Sequence, residues 1–391
     1  MDEDNGRHGR RILVAMDKFK GTLTATEAAG IVAEALRERL GAAATVEAWP
    51  LADGGEGTAA ILTRARGGVW RSAVVRGPLG EPVEAHYGLA GRTAFLEMAS
   101  ASGLSLVPPD RRHPLLTSTY GFGELMLAAL SAGATSLVVG IGGSATNDGG
   151  AGMAEALGAR FRDASGRELR GLTGGRLREV SAVDCEAVRQ RLSGISVTVA
   201  ADVRSPLLGP SGASAVFAPQ KGATPAEVPL LEEGLARLRR ALTPDEEEAY
   251  PLGRPGDGAA GGLGYGCRVF CDASFESGAR LVMRESGFAA SLCDESCRGP
   301  VRLVITGEGR ADGQTEAGKL CREVSLLAAA HGVPCVVLAG GLGCPRGTLL
   351  SAGFAGAFAA GVGRDGVAET LAHAGEDLRS AALSLAALLS C

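Results

Sequence analysis

A chain of 391 residues with a 46% hydrophobic fraction has the apolar surface for two or three cores, and its formal net charge of −5 offers no basic stripe for a phosphate backbone. Aromatics at 4% leave no stacking platform for bases, and no run approaches the ~20 uninterrupted apolar residues of a membrane span, so neither nucleic acid nor membrane is expected as a partner. Nine cysteines without a dense pattern, behind a charged N-terminal MDEDNGRHGRR that lacks a secretory apolar core, fit reduced thiols and a cytoplasmic address.

Residues 12–16 (ILVAM) are a continuous apolar run of strand length, the kind buried on both faces of a parallel sheet. Thr24 and Glu27 make a capping-box pair ahead of Ala28, Ile31, Val32, Ala35, Leu36 and Leu40, spaced as a helix until Gly41 stops it. Residues 45–49 read as the next strand. The opening is thus a βαβ unit whose strand ends carry DKFKG and LADGGEGT, and ligands of open α/β sheets bind outside the carboxyl ends of the strands. From about 69 to 98, short β runs broken by GPLGEP and LAGR indicate meandering strands and the start of a new domain. A helix over about 121–130, a strand at 137–141, the glycine-rich GGSATNDGGAGM and a helix to about Leu157 bring the α/β alternation back. ARFRDASGREL reads as a hairpin turning at 164–166, and residues 195–201 as an apolar strand running into Asp202. Leu230, Leu231, Leu235, Leu238 and Leu242 mark an amphipathic helix that stops at Pro244. Residues 244–266 mix an acidic run with proline and glycine, and their first half reads as a solvated linker. Strands at 301–306 and 333–339 again end in glycine-rich turns. The expected fold class is α/β, with one discontinuous domain (1–75 and 290–391) enclosing a second α/β domain (76–289).

Four glycine-rich loops follow strands: 52–58, 142–153, 306–315 and 339–343. Glycine serves a tight connection as readily as a phosphate cradle, so one such loop decides nothing. Here Asp53 with Glu56 and Glu308 with Asp312 flank the glycines, and GGSATNDGG adds Ser144, Thr146, Asn147 and Asp148. Backbone donors, hydroxyls and carboxylates are what a magnesium-bound nucleotide needs. The candidate nucleotide ligands are therefore Gly54, Gly55, Gly142, Gly143, Ser144, Thr146, Asn147, Gly307, Glu308 and Gly309, and the candidate metal ligands are Asp53, Asp148 and Asp202. GQTEAGKL at 313–320 is no Walker loop, because Leu320 stands where a hydroxyl should meet magnesium, and no G-x-G-x-x-G opens a helix after a strand.

Lys18 and Lys20 stand just past the first strand, either as solvated turn residues or as point charges for a phosphate or a substrate carboxylate. Asp202 at its strand end either caps the next turn or faces the site as base or metal ligand. The expected catalytic set is Asp202, Lys20 and Asp312, and the expected substrate-binding set is Lys18, Lys20, Arg204 and Lys221. Cys267/Cys271 and Cys293/Cys297 are C-x₃-C pairs on helical, partly apolar stretches, and read as free thiols instead of zinc knuckles. The histidines (His8, His86, His113, His331, His373) show no ligand or triad spacing.

DKFKGTL, ADGGEGT, RGPLGEPVEA, STYGFGELMLAAL, GIGGSATNDGGAGM, DVRSPLLGPSGASAVFAPQKGAT and ITGEGRADGQT follow one another as the signature blocks of type I glycerate kinases do, and from about Ile12 to Gly343 the chain resembles that family. The resemblance implies an ATP- and Mg²⁺-dependent kinase that converts D-glycerate to 2-phosphoglycerate. It also implies a flavodoxin-like parallel-sheet domain with a second α/β domain inserted, and an active site in the interdomain cleft. The family opens with PDSFKG where this chain has MDKFKG, so Lys18 replaces a serine. Alternatives are a glycerate 3-kinase, a kinase of another short hydroxy acid, or a non-catalytic sensor of a sugar acid or nucleotide; Asp53, Asp148, Asp202 and Asp312 speak against the last. The expected partners are glycerate and ATP, with the chain a monomer or homodimer.

Overall fold

The computed structural model describes residues 10–293, 299–311, 320–361 and 367–390. The chain forms two compact units, Met1–Asp53 with Ala279–Cys391, and Gly54–Gly278. These limits differ from the borders at 75/76 and 289/290 expected from sequence. The helix Thr58–Ala65 and the strand Val69–Arg76 pack on the strand Pro82–Ala90 and so go with the second unit. At the other end Arg280 pairs with Glu323 at 2.8 Å, inside the first.

In the first unit five parallel strands run in the order Gly356–Ala359, Cys335–Ala339, Val301–Gly307, Arg10–Met16, Ala44–Pro50. Counted within the unit this is 2-1-3-4-5, the flavodoxin order, in which the connection reverses between the first and third strands. Ile12, Val14 and Met16 face a core shared with the helices Ala25–Leu40 and Ala374–Leu389, while Leu13 and Ala15 on the other face are fully buried too. Burial on both faces explains the unbroken apolar run. The Thr24 hydroxyl accepts from the Glu27 amide at 3.2 Å and the Glu27 carboxylate accepts from the Thr24 amide at 2.8 Å, so the predicted capping box starts the helix, for about 1 kcal/mol.

In the second unit the strands Ser274–Glu276, Ser196–Ala200, Ser136–Gly140 and Thr93–Glu97 are parallel, and Pro82–Ala90 and Val69–Arg76 extend the sheet antiparallel. The meander expected over 69–98 is present, as is the hairpin of Arg160–Arg162 with Glu168–Leu169. The acidic stretch after Pro244 is largely exposed, as expected of a solvated linker, but it is tied down by two arginines. Buried Arg239 donates to the carbonyls of Pro251 (2.7 Å) and Glu246 (3.2 Å), and Arg268 pairs with Glu246 and with Asp257, which is 1% exposed. The glycine-dense half becomes the helix Ala259–Cys271, interrupted by positive φ at Ala260, Gly261 and Gly262. Cys267 and Cys271 lie buried on it as free thiols. Among the described residues no helix is long and apolar enough to cross a membrane.

Candidate active site

The reversal point of the first unit's sheet brings its polar loops together. The Asp17 amide donates to the Gly307 carbonyl at 2.9 Å and the Leu51 amide to the Met16 carbonyl at 2.9 Å, which sets DKFKG, the approach to Asp53 and TGEG side by side at the carboxyl ends of the strands. The Gly340 and Gly341 amides donate to the carbonyls of Glu308 (3.1 Å) and Gly309 (3.2 Å), joining the third glycine loop to the fourth. A Cβ at Gly309 would lie 3.3 Å from the Lys20 nitrogen, so glycine lets the two backbones meet.

Three carboxylates are grouped here. Asp17 and Glu308 are buried and Asp53 is half-buried. Burial, then the neighbouring Asp53 charge, pushes the Asp17 carboxyl up to about 7 against the pull of Lys18, whose amide donates to its Oδ1 at 2.7 Å. Lys18, in place of the family's serine, sets its Nζ 3.8 Å from Asp53 Oδ1. Lys20 is exposed. Sequence reasoning passed over Asp17 as a site residue, although it is the first residue past the strand at the reversal point. Asp312 lies outside the described residues.

In the second unit the loop that starts at Gly54 crosses directly over the carboxyl ends of two strands. Gly54 has φ +89°, and a Cβ there would sit 2.6 Å from the Ala200 carbonyl oxygen; one on Gly140 would sit 2.6 Å from the Gly54 oxygen, and one on Gly142 3.1 Å from Gly55 Cα. Gly54, Gly55, Gly142 and Gly143 are thereby gathered within reach of the strand end that leads, two residues on, to half-buried Asp202. Arg204 is exposed.

Two of the expected ligands are deeply buried and hydrogen-bonded within the second unit. Asp148, expected on the metal, is fully buried: its Oδ2 accepts from the Thr119 amide (2.7 Å), the Thr119 hydroxyl (2.8 Å) and the Gly152 amide (3.2 Å), and its Oδ1 from the Gly150 amide (3.2 Å). Burial raises its pKa while these donors pull it back. The carboxylate ties the 142–153 loop to the start of the helix Tyr120–Ser131, with three donors on Oδ2 and one on Oδ1. Lys221, expected on substrate, is 2% exposed and its Nζ bonds Ser144 Oγ at 2.7 Å and the Thr146 carbonyl at 2.6 Å. Burial pushes this amine down to about 7, opposed by the Asp148 charge. Beside it Asn147 Nδ2 donates to Ser214 Oγ at 3.1 Å, while Asn147 Oδ1 and Thr146 Oγ1 are buried without a partner among the described residues, the state of atoms arranged for a ligand.

Glycine-rich strand-end loops with hydroxyls and carboxylates, carried on two α/β units, define the class of the protein as a two-domain α/β kinase. The glycerate kinase family model matches residues 12–390, and the chain belongs to that family. It is similar to a glycerate kinase of Bacillus subtilis (41% identical over 383 residues, 96% of this chain and 97% of that protein). It is similar also to a glycerate 2-kinase of Escherichia coli (43% over 338 residues, 85% of each). The crystal structure of a proposed glycerate kinase 2 from Salmonella typhimurium LT2 superposes with a TM-score of 0.82 at 41% identity, covering 97% of this chain and 98% of that one.

Proposed function

We propose that the protein transfers the γ-phosphoryl group of ATP to the C2 hydroxyl of D-glycerate, giving 2-phosphoglycerate, with magnesium. The observation that carries this reading is the carboxylate Asp202 just past a parallel strand, second from the edge of its sheet, whose end is overlaid by the bare backbone of Gly54. In the reaction the substrate O2–Pγ bond forms as the bond from Pγ to the β,γ-bridging oxygen breaks, and ADP leaves; Asp202 accepts the hydroxyl proton. In each unit bare backbone amides, of Gly54, Gly55, Gly142 and Gly143 in the second and of Gly307 and Gly309 in the first, suit phosphate oxygens, and Ser144, Thr146 and Asn147 add polar contacts. Lys18, Lys20 and Arg204 balance the charge of phosphate or of the substrate carboxylate. Magnesium keeps most of its waters and takes one or two carboxylates, for which half-buried Asp53 is better placed than fully buried Asp148, which already accepts four hydrogen bonds. When bound, the ion neutralises phosphate charge. The C2 preference is supported by the name of the Escherichia coli relative, glycerate 2-kinase. A cytoplasmic address is supported by the buried free thiols Cys267, Cys271, Cys321 and Cys335.

The test is product identification. After incubation with Mg–ATP and D-glycerate, ³¹P NMR should show phosphorus coupled to the single C2 proton. Coupling to the C3 methylene, or transfer to other short hydroxy acids in preference to glycerate, would overturn the reading.

A further inference from the structure

The first unit has a cavity at the amino ends of its strands. A cavity of about 480 Å³ opens there between the starts of Arg10–Met16, Ala44–Pro50 and Val301–Gly307 and the ends of the helices Ala25–Leu40 and Ala374–Leu389. Seven-residue strands at ~3.3 Å per residue put it roughly 20 Å from the carboxyl edge where Asp17 stands. Its apolar lining includes Ile12, Leu303 and Leu389, and its charged lining is Arg10, Arg39 and Arg302. Among the described residues no carboxylate lines it, in a chain whose 44 acidic side chains outnumber 39 basic ones. Arg39 and Arg302 have no ion pair or hydrogen bond among the described residues, and Arg10 gives one donor to the Leu389 carbonyl.

Arginine near a helix end has an ordinary use, complementing the negative pole of the helix. Two helix ends amount to about one negative charge, roughly −0.5 each, against three guanidinium groups. Among the described residues the excess is about two positive charges, on exposed side chains whose forks are shaped for paired oxygens, beside a small apolar floor. The size falls within the roughly 300–1,000 Å³ range of small-ligand sites. We propose that this cavity binds a phosphomonoester dianion with a short carbon skeleton, at a site separate from the catalytic edge. The phosphate lies among Arg10, Arg39 and Arg302, and the skeleton rests on Ile12, Leu303 and Leu389. This inference does not depend on which acceptor the enzyme phosphorylates.

The experiment is calorimetric titration of the full chain with glycerol 1-phosphate and with inorganic phosphate at constant ionic strength, for the native protein and for R39Q/R302Q. Charge-assisted bonds of about 1.5–3 kcal/mol correspond to roughly tenfold or more per arginine, so the double variant should bind the ester about 100-fold more weakly at this site while its kcat for glycerate stays within twofold. R39K/R302K, which keeps the charges and loses the forks, should fall between, and serves as the test if the glutamine pair does not fold. Ester binding equal within twofold in native and glutamine or lysine variants overturns the proposal, as does the absence of ester binding. Inorganic phosphate bound as tightly as the ester would overturn the role of the apolar floor and with it the ligand class.

Discussion

Replacing Lys221 by methionine separates the charge of this amine from its bulk. The side chain is 2% exposed and holds Ser144 Oγ and the Thr146 carbonyl at 2.7 and 2.6 Å, so Lys221→Met leaves two buried polar atoms unpaired, at about 1–3 kcal/mol each. Against that loss, the apolar side chain has no amine to desolvate. The balance depends on pH, and its sign follows from protons bound. The amine titrates near 7 in the folded chain and near 10.5 when unfolded. Between these values the unfolded chain holds a proton that the folded chain lacks, so the native protein gains stability as pH rises, by up to about 1.4 kcal/mol per unit. Below about 7 both states are protonated and the contribution is flat at its least favourable level. The Lys221→Met variant has no such slope. Native protein and variant should therefore lie within about 2 kcal/mol of each other at pH 7 and diverge by about 3 kcal/mol more at pH 9, the native protein being the more stable. Urea unfolding at pH 7, 8 and 9, followed by circular dichroism, reads the difference; the same series on Asp148→Asn and on the double variant separates the amine from Asp148, whose charge acts on it. Parallel curves would refute the reasoning, because they would mean the buried amine keeps its proton throughout.

Asp202→Asn keeps shape and removes charge, so kcat should fall about 10²–10⁴-fold with melting nearly unchanged; a kcat within a few-fold beside a lowered melting temperature would make the residue a turn cap. Gly54→Ala adds a Cβ 2.6 Å from the Ala200 oxygen at φ +89°, and should lower stability by about 2–4 kcal/mol, measured by the same unfolding titration. For Asp17→Asn the sign runs opposite to that for Lys221. The folded carboxyl near 7 retains a proton that the unfolded one loses near 3.8, so native stability falls between about pH 4 and 7, by up to ~1.4 kcal/mol per unit, and the variant should gain on the native protein across that window. Its kcat should nevertheless drop, and an unchanged kcat would remove Asp17 from the site.

Elements whose signal is local were legible in the sequence. The capping box at Thr24 and Glu27, the apolar run ending at Met16 and the leucine stripe of the helix Val228–Leu242 each depend on neighbours within a turn or a strand. The anchoring of the exposed stretch after Pro244 was missed for the complementary reason. Its order comes from Arg239 and Arg268, side chains whose own helices gave no hint that they would reach for its carbonyls and for Glu246 and Asp257. The division at Asp53 and Gly54 was likewise hidden, because the helix Thr58–Ala65 joins whichever sheet it packs on, and its sequence alone does not say which.

In the candidate site, residue type was legible and burial was not, and burial is what separates the carboxylates. Asp17 and Asp148 both follow strands and stand among glycines and polar residues, so sequence gives no ground for preferring one. Asp148 receives four hydrogen bonds from Thr119, Gly150 and Gly152, which offset the loss of water and leave it a fastening of the loop. Asp17 has the Lys18 amide and, beside it, the like charges of Asp53 and Glu308, so its ionised form remains strained. A buried carboxylate that the fold leaves short of donors weakens the protein wherever it is charged. Lys18 answers part of that charge through Asp53, which gives the substitution of lysine for the family's serine an electrostatic reason that the motif alone did not contain. The remaining deficit at the reversal point of the sheet is of the sort a cation or a transferable proton would relieve, and it makes Asp17, more than Asp148, the carboxylate whose burial needs a functional explanation.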